Sequence, residues 1–394
     1  MRSLLPTEAW EFGLADVARG IRAAFRSRNK PEYFNVHEVG DCIAVRSGRA
    51  GIVLALQALK LRKDAVVGVP LYCCPVVFKA IRLAGYNPCF IDEDPENFCL
   101  SPRDLEAKVS KLDALIAAHM FGNVCDMPGL IRIMGEKPII EDCAQAFGSR
   151  LNGRIAGSFG NISMFSFRSG KYISVGEGGA LCSKDPDLLS RIRELVKAMP
   201  DPGRGKDLRH VIETYVRSKL RSQPLWGWLG FPIWSLYNKK TAFVSKSPIA
   251  MGRIFSSDFD LAEHRLGKLD YMIKIQRANA GYYLKNLEVG QDSFCLERPG
   301  AFYNRFMFPV KLRSQAECDY VSRYLLRNKI STSRPYRDVI EGAALNYGYK
   351  GDCPVAEQLL NSTLVIPVHY KVRKSDLEYV ARRFNKAWGD IRSA

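Results

Sequence analysis

The chain has 394 residues and a net charge of +17, from 58 Lys and Arg against 41 Asp and Glu. Hydrophobic residues make up 47% and charged residues 25% of the chain, and this ordinary globular composition excludes disorder, collagen and a small disulfide scaffold. The length predicts two or three domains with a large core. The positive charge predicts an anionic partner: nucleic acid, a phosphorylated or nucleotide-linked small molecule, or an acidic membrane surface.

The cysteines and the first residues indicate a soluble cytoplasmic protein. The 11 cysteines are scattered and form no C-x-x-C pair, so the zinc and thioredoxin spacings are absent. We therefore expect reduced, mostly buried thiols. The opening MRSLLPTEAWEFG lacks the apolar run of a signal peptide. The longest apolar window, residues 225–234, is too short to span a membrane.

The apolar periodicity predicts a helix within residues 8–27, followed by alternating strands and helices from residue 43 to about residue 190. The predicted strands cover residues 65–70, 88–92, 114–120, 137–142, 162–167 and 179–183. The predicted helices between them include residues 51–59, 76–83 and 102–110. This alternation favours a largely parallel sheet covered by helices on both faces, with a ligand at the carboxyl ends of the strands.

The composition changes between about residues 200 and 255. Residues 207–221 predict a basic amphipathic helix whose apolar face carries Leu208, Val211, Ile212, Tyr215, Val216 and Leu220. An aromatic segment broken by Gly and Pro follows at 225–234, and helical periodicity then returns up to Leu287. We expect four parts: an N-terminal helical segment (1–40), a large α/β domain (41–199), a basic aromatic-rich insertion (200–255), and a helix with a smaller C-terminal α+β domain (256–394).

Three segments place chemically useful groups where such a sheet binds ligands. RSGRAG at 46–51 is a glycine-containing turn that opens a helix, and amides at a helix N-terminus bind anions. A predicted strand ends at Asp142, and the segment 165–181 carries Ser166 and, five residues later, Lys171. Lysine forms Schiff bases with carbonyl compounds. A lone lysine is usually a solvated surface charge, but a pyridoxal phosphate site needs a lysine, an aspartate and a phosphate cradle together.

The sequence resembles the DegT/DnrJ/EryC1/StrS family of sugar aminotransferases, which use pyridoxal 5'-phosphate and have fold type I. The motifs SGRAG, EDCAQAFG, SFRSGK and EGG match the family's S-G-T-x-A-L, E-D-x-A-[QH]-x-x-G, S-F-x-x-x-K and E-G-G. The resemblance runs from about residue 40 to 190 and resumes from 260 to 385. It implies a large cofactor-binding domain with a mostly parallel mixed sheet, a smaller C-terminal α+β domain, and a homodimer whose interface completes each site.

The resemblance also implies a role for each site residue. Lys171 would bind the cofactor covalently and then move the proton, and Asp142 would pair with the pyridinium nitrogen. Gln145 would lie against the ring or near its phenolic oxygen. The cofactor phosphate would be held by Ser166 and by the backbone of Gly48, Arg49 and Ala50.

Three positions depart from the family pattern. Arg49 stands where the family usually has Thr. The family's stacking aromatic falls near Cys74, and Tyr72 could replace it by a shift of register. The family's G-Y-N-Y-R segment, whose Asn reaches the phosphate in the partner subunit, corresponds to residues 250–253, where only Arg253 remains. Lys171 is the residue lost in the family's dehydratase branch, so its presence favours transamination over sugar deoxygenation.

The function implied by the resemblance is transfer of an amino group from an amino acid, such as L-glutamate, to a nucleotide-linked keto sugar. The product would enter polysaccharide, lipopolysaccharide or glycoside synthesis. Two alternatives stay open. One is a pyridoxal phosphate enzyme that acts on a lipid-linked or other acceptor at the membrane surface, and the other is a non-catalytic aminotransferase-like protein.

The segment 207–234 also has two interpretations. Its basic helix and its aromatic residues, Trp226, Trp228, Phe231 and Trp234, are typical of peripheral contact with the inner membrane surface. They equally suit a lid or a dimer-interface insertion with the tryptophans packed on the core, because aromatic stripes are more often core. The five histidines show no metal-ligand spacing, and we expect His119 to be structural. The basic charge comes with no nucleic-acid-binding motif, so we expect neither a metal nor a nucleic acid.

Overall fold

The computed structural model describes residues 3–26, 33–36, 38–232 and 248–393. Its larger helices are α1 (Leu14–Ala24), α2 (Gly48–Leu59), α3 (Val76–Leu83), α4 (Pro102–Lys108), α5 (Met127–Met134), α6 (Pro186–Lys197), α7 (Gly203–Arg221), α8 (Ser256–Leu266), α9 (Leu269–Asn286), α10 (Gln315–Arg327), α11 (Val339–Tyr347), α12 (Pro354–Ser362) and α13 (Lys374–Arg392). A π-helical turn covers Trp226–Gly230. Its strands are β1 (Tyr33–Val36), β2 (Gly40–Val45), β3 (Val66–Pro70), β4 (Asn87–Ile91), β5 (Ala114–Ala118), β6 (Ile139–Asp142), β7 (Arg150–Leu151), β8 (Arg154–Ile155), β9 (Ile162–Ser166), β10 (Gly179–Cys182), β11 (Ala301–Phe302), β12 (Phe308–Lys311) and β13 (Thr363–Ile366).

The central sheet has eight strands in the order β1-β2-β10-β9-β6-β5-β3-β4. Neighbours from β9 to β4 are parallel, whereas β10 is antiparallel to both β9 and β2, and β2 is antiparallel to β1. Every residue of β5 is buried, as expected for a parallel strand covered on both faces. The predicted mostly parallel mixed sheet is confirmed.

The direction of winding reverses at β3, because β4 pairs on one side of this strand and β5 on the other. Open α/β sheets bind ligands outside the carboxyl ends of their strands at such a reversal. The carboxyl ends of β3, β5, β6 and β9 therefore define the place where a site is expected.

The C-terminal part of the chain has a separate core around the antiparallel pair β12–β13. Side chains of α9, α10 and α13 pack in this core, and so does Leu5. Residues 3–13, here called the N-terminal strap, join this part through Leu5, whose amide donates to Lys329 O at 2.9 Å. The Ser331 amide donates in turn to Leu5 O at 2.9 Å. The strap is therefore fixed at this end by backbone pairing.

Helix α7 buries only part of its predicted apolar face. The residues buried on the helix are Asp207, His210, Val211, Thr214 and Ser218. Hydrogen bonds hold this face: Asp207 accepts from the Ser256 amide at 2.8 Å, and His210 pairs with Asp258 at 2.9 Å. Ile212 and Val216, which belong to the predicted apolar face, are 58% and 49% exposed.

The expectation of reduced cysteines is wrong for one pair. Cys42 on β2 and Cys182 on β10 form a disulfide. The two residues are directly opposite each other in the antiparallel register of these strands, which brings together positions 140 residues apart in sequence. The other nine cysteines are free thiols, and seven of them are buried. None of the described helices is long and apolar enough to cross a bilayer.

Candidate active site

A cavity of about 500 Å³ lies at the carboxyl ends of β3, β5, β6 and β9. Seven of the eight residues predicted for the site line it: Gly48, Arg49, Cys74, Asp142, Gln145, Ser166 and Lys171. Ala50 is fully buried in the first turn of α2 and does not line the cavity. Residues more than 120 positions apart in sequence thus meet because parallel strands end at one edge of the sheet.

Lys171 lies in the loop between β9 and β10. Its backbone amide donates to Arg168 O at 3.0 Å, and Arg168 pairs with Gly176 in an isolated bridge that closes the loop. The amino group lies 4.7 Å from the centroid of the Phe306 ring. Burial lowers the pKa of Lys171 from its usual 10.5 to about 8, and the charge of Arg168 acts in the same direction. At pH 7 about one tenth of this amine is therefore neutral and nucleophilic, against less than about one thousandth at the usual pKa of 10.5.

Asp142 ends β6, and its Oδ1 accepts from the Ala144 amide at 3.0 Å. Burial raises the pKa of Asp142 above its usual value, while the nearby charge of Lys171 opposes this rise. A carboxylate buried in this way gains free energy when a cation binds beside it. The site therefore favours a positively charged group next to Asp142.

The neighbouring Glu141 anchors the strand end. Its carboxylate accepts from the amides of Gly157, Phe159 and Gly160 at 2.6–2.8 Å, and from His119 Nε2 at 3.0 Å. His119 Nδ1 accepts from the Cys125 amide at 3.2 Å. With Cys143, these side chains place metal-ligand atoms within 4.8 Å of one another. Both nitrogens of His119 and both oxygens of Glu141 therefore have protein hydrogen-bond partners, and His119 also lines the cavity.

Hydrogen bonds hold Gln145 at its side-chain oxygen, its side-chain nitrogen and its backbone oxygen. Its Oε1 accepts from the Phe121 amide at 3.0 Å, and its Nε2 lies 3.5 Å from the Tyr336 hydroxyl. Its backbone oxygen accepts from Asn304 Nδ2 at 2.9 Å. These bonds fix the side chain at the cavity wall, where the sequence placed it.

Helix α2 begins at the cavity with Ser47 as its N-cap, and Ser47 Oγ accepts from the Ala50 amide at 3.2 Å. A Cβ atom at Gly48 would lie 2.8 Å from Met164 Sδ and 3.0 Å from Ser166 Cβ. Only glycine therefore lets the first turn of the helix approach the end of β9 so closely. This approach places the Ser166 hydroxyl beside helix amides that have no acceptor within the helix.

Arg49 turns toward an acidic residue of the E-G-G motif. Its guanidinium lies 3.8 Å from Glu177 Oε1, and Arg46 lies 3.0 Å from Glu177 Oε2. Arg46 also stacks on Phe255, with 3.6 Å between the guanidinium carbon and the ring centroid. The two arginines thus compensate the negative charge of Glu177. This carboxylate therefore does not cancel the partial positive charge at the N-terminus of α2.

Tyr72 does not take the place of the missing stacking aromatic. It is 1% exposed, and its ring packs edge-on against Phe98 and Phe121 in the core. Cys74 lines the cavity instead, because the chain turns after β3 and directs Tyr72 inward. Arg253, the residue retained from the family's G-Y-N-Y-R segment, lies 3.6 Å from Asp201 and does not line the cavity.

The lining residues that were not predicted include four with large aromatic or charged side chains: Trp10, Arg168, Arg217 and Tyr336. Arg168 lies inside the S-F-x-x-x-K motif and was detectable there. The other three come from the N-terminal strap, from α7 and from the loop before α11. No local pattern marks them, because tertiary packing alone brings them to the cavity.

The sequence profile of the DegT/DnrJ/EryC1/StrS aminotransferase family matches residues 31–219 and 250–385. The chain belongs to this family. It is 26% identical over 351 residues to the UDP-N-acetyl-3-dehydro-alpha-D-glucosamine 3-aminotransferase of Acidithiobacillus ferrooxidans, covering 87% of this chain and 83% of that protein. It is 24% identical over 392 residues to the dTDP-3-amino-3,4,6-trideoxy-alpha-D-glucose transaminase of Micromonospora megalomicea subsp. nigra, covering 93% and 94%.

Over a shorter stretch, the chain has a higher sequence identity to a third relative. The chain is 37% identical over 150 residues to the GDP-perosamine synthase of Escherichia coli O157:H7, covering 37% of this chain and 41% of that protein. The chain therefore spans less than half of this relative's length. The fold is that of the aminotransferase TlmJ from Streptoalloteichus hindustanus (TM-score 0.75, 21% identity, 99% of this chain and 100% of that one). It is also that of the sugar aminotransferase CalS13 from Micromonospora echinospora (TM-score 0.74, 20% identity, 98% and 100%). The predicted fold class and family are confirmed.

Proposed function

We propose that this protein is a pyridoxal phosphate-dependent aminotransferase that transfers an amino group from an amino acid to a nucleotide-linked keto sugar. One observation carries the proposal. A half-buried lysine with a pKa near 8 shares a cavity with a half-buried aspartate and with the first turn of a helix. The protein's family membership supports the same reaction class, and so do the three nucleotide-sugar enzymes that the chain resembles.

The residues at the cavity fit pyridoxal phosphate. Lys171 would hold its aldehyde carbon, Asp142 its ring nitrogen, and Ser166 with the first amides of α2 its phosphate. The absence of a Cβ at Gly48 lets the helix come close enough to Ser166 for both to contact one phosphate. When bound, pyridoxal phosphate supplies an electron-withdrawing ring that stabilises negative charge at the α-carbon of the amino acid.

Each of the two titratable residues would have a distinct task. As a neutral amine, Lys171 would take a proton from the α-carbon of the amino acid and deliver it, in the same half-reaction, to the former aldehyde carbon of the cofactor. Its lowered pKa suits this task because a general base works best when its pKa lies near the working pH. Asp142 keeps the ring nitrogen protonated, because its half-buried carboxylate is stabilised by the cation beside it.

The amino donor and the assembly are the finer parts of this proposal. We infer L-glutamate as donor, a homodimer as the active assembly, and a product used in polysaccharide, lipopolysaccharide or glycoside synthesis. The relatives that the chain resembles over most of its length carry UDP- and dTDP-linked sugars in their names. These names support a nucleotide carrier over the lipid-linked acceptor that the sequence left open.

Cofactor attachment is the direct test. The protein purified with pyridoxal phosphate should be yellow, and borohydride reduction should fix the cofactor to the peptide that contains Lys171, as read by mass spectrometry. L-glutamate alone should then bleach the untreated protein, because the first half-reaction needs no acceptor. A colourless protein that binds no cofactor supports the non-catalytic alternative. A Lys171→Ala variant that still transaminates contradicts the proposed role of the lysine.

We also propose a peripheral contact between segment 207–234 and an anionic membrane surface. Five large apolar side chains in this segment are 39–79% exposed: Ile212, Val216, Leu225, Trp228 and Leu229. Ile212 and Val216 lie one turn apart on one helix face. Segment 207–234 carries four Lys or Arg against two acids, and the wider stretch 200–250 carries nine against three, so the charge complements anionic lipid. Trp226 is buried, and Trp234 lies outside the described residues.

Sedimentation with liposomes tests this contact. The protein should co-sediment with vesicles of phosphatidylglycerol and phosphatidylcholine at low salt, and Trp228→Ser should reduce the bound fraction. Trp226→Phe is the matched control, because that side chain is buried. If the protein stays in the supernatant at low salt, the exposed residues do not bind a membrane.

A further inference from the structure

Two parts of the chain outside the family match meet at the cavity wall. They are the N-terminal strap and the segment that begins after residue 219. The guanidinium carbon of Arg221 lies 4.4 Å from the ring centroid of Trp10 and 5.1 Å from that of Trp226. Trp226 is 5% exposed and packs edge-on against Phe231. Arg221 therefore links Trp10 to a buried anchor in the second segment.

Two hydrogen bonds also hold Trp10 in place. Its indole Nε1 donates to Glu8 Oε2 at 3.1 Å, and its backbone oxygen accepts from Ser218 Oγ on α7 at 3.1 Å. Nε1 lies 3.0 Å from the position that a Cβ at Gly170 would occupy. Since Gly170 precedes Lys171, the indole borders the reactive end of the cavity. The contacts fix a flat aromatic wall next to the lysine.

The same cavity carries more positive charge than the cofactor site uses. Its charged lining comprises two acids, Asp142 and Glu177, and four cations, Arg49, Arg168, Lys171 and Arg217. Arg49 pairs with Glu177, and Lys171 is the proposed cofactor residue. Within the described part of the chain, no ion pair engages Arg168. Arg217 lies 3.5 Å from Glu213, a carboxylate that Arg209 also contacts at 2.7 Å.

We propose that Trp10, Arg168 and Arg217 form the acceptor subsite. The two guanidinium groups bind the diphosphate of a nucleotide-linked sugar, and the indole of Trp10 packs against its sugar ring. Planar guanidinium groups match phosphate oxygens in geometry and charge. Aromatic rings bury large apolar areas while staying rigid. This assignment rests on the proposed aminotransferase function and adds to it the residues that select the acceptor.

Binding of nucleoside diphosphates to the holoenzyme tests the guanidinium pair through Arg217. We would titrate UDP, GDP and dTDP by calorimetry into the wild type, Arg217→Ala and Arg209→Ala. Arg209 is the matched control, since it lies on the same helix, is 80% exposed and does not line the cavity. Arg217→Ala should weaken the tightest diphosphate by at least about ten-fold, the usual range for a lost charge-assisted hydrogen bond. Arg209→Ala should bind as the wild type does.

The contribution of Trp10 is measured as the difference in affinity between a nucleotide-linked sugar and the corresponding nucleoside diphosphate. GDP-mannose, UDP-N-acetylglucosamine and dTDP-glucose would each be compared with the corresponding diphosphate. For the preferred carrier, the sugar should add affinity in the wild type and in Trp10→Phe, and this gain should vanish in Trp10→Ala. Thermal unfolding of each holoenzyme shows whether the variant is folded. A gain that survives in a folded Trp10→Ala variant overturns the assignment of the indole.

Bleaching by L-glutamate separates this inference from the proposed function. If L-glutamate bleaches the holoenzyme but no diphosphate binds, the subsite is refuted and the aminotransferase function stands. Equal affinities of Arg217→Ala and Arg209→Ala refute it in the same way. If no amino acid bleaches the protein, the aminotransferase function fails, whereas the diphosphate titrations still decide whether these residues bind the nucleotide.

Discussion

Replacing Lys171 by methionine should stabilise the apoprotein near neutral pH while abolishing transamination. The folded apoprotein holds this lysine at a pKa of about 8 instead of its usual 10.5, because burial disfavours the charged amine. That difference, at about 1.4 kcal/mol per pH unit, corresponds to about 3 kcal/mol of destabilisation in the wild type. Methionine has a similar length and no charge, so it removes the penalty without leaving a large cavity.

The dependence on pH has a definite sign. Below about pH 8 the lysine is protonated in both states, and the full penalty acts on the folded apoprotein. Between about pH 8 and 10.5 the unfolded chain binds a proton that the folded protein does not, so the stability of the wild type rises with pH. The advantage of Lys171→Met should therefore be about 3 kcal/mol at pH 7 and should shrink toward zero near pH 10.5.

Urea unfolding of the cofactor-free proteins, followed by tryptophan fluorescence at several pH values, measures this difference. Lys184→Met is the matched control, because Lys184 is exposed and its replacement should change stability by less than about 0.5 kcal/mol at every pH. If Lys171→Met and Lys184→Met behave alike at pH 7, Lys171 is not a desolvated amine. Burial would then not set the pKa of Lys171 for catalysis.

Four further outcomes are expected. Gly179→Ala would place a Cβ 2.6 Å from the backbone oxygen of Phe165, and should cost about 1–3 kcal/mol in urea unfolding. Gly281→Ala on α9 meets no atom within 4 Å and should instead stabilise by about 0.5–1 kcal/mol. Asp142→Asn should keep the yellow colour but slow bleaching by L-glutamate by about 100-fold or more, as loss of one electrostatic group at a reacting centre does. Although burial favours the neutral ring, Asp258 raises the pKa of His210. The stability that His210 contributes should thus be complete below about pH 6.5 and lost as the pH rises through the raised pKa, so that His210→Gln unfolds more readily than the wild type at pH 6 but by a smaller margin at pH 9.

The sheet was predictable because buried parallel strands are short, nearly continuous apolar runs. The strand predicted at 114–120 is β5 (Ala114–Ala118), which begins at the predicted residue and ends two residues earlier. Strand β1 was missed, because its four residues lie at an edge and pair only with β2. The apolar pattern of α7 did not show which of its residues are buried, because Val211 packs in the core while Asp207 and His210 on the same face bond to α8.

The candidate site likewise contains residues whose position was predictable and residues whose position was not. Asp142 and Ser166 each end a strand, and Lys171 follows one closely, so their convergence followed from a parallel sheet. The direction of Tyr72 did not follow, because the chain leaves the regular alternation of the strand after Pro70. Trp10 was unpredictable in a different way. Its place at the cavity depends on Arg221 and Ser218, which are about 210 residues away in sequence.

Helix α7 joins the two proposals, because it carries both a cavity residue and an exposed apolar face. Arg217 lines the cavity, while its neighbour Val216 is 49% exposed. One pair of variants therefore separates the two surfaces. Replacing Ile212 and Val216 together by serine should prevent co-sedimentation with anionic vesicles and leave the affinity for nucleoside diphosphates unchanged, because neither side chain lines the cavity. Trp10→Ala should lose the affinity added by the sugar and still co-sediment. If each variant impairs both properties, the helix does not act as two independent surfaces, and a single effect on folding explains both results.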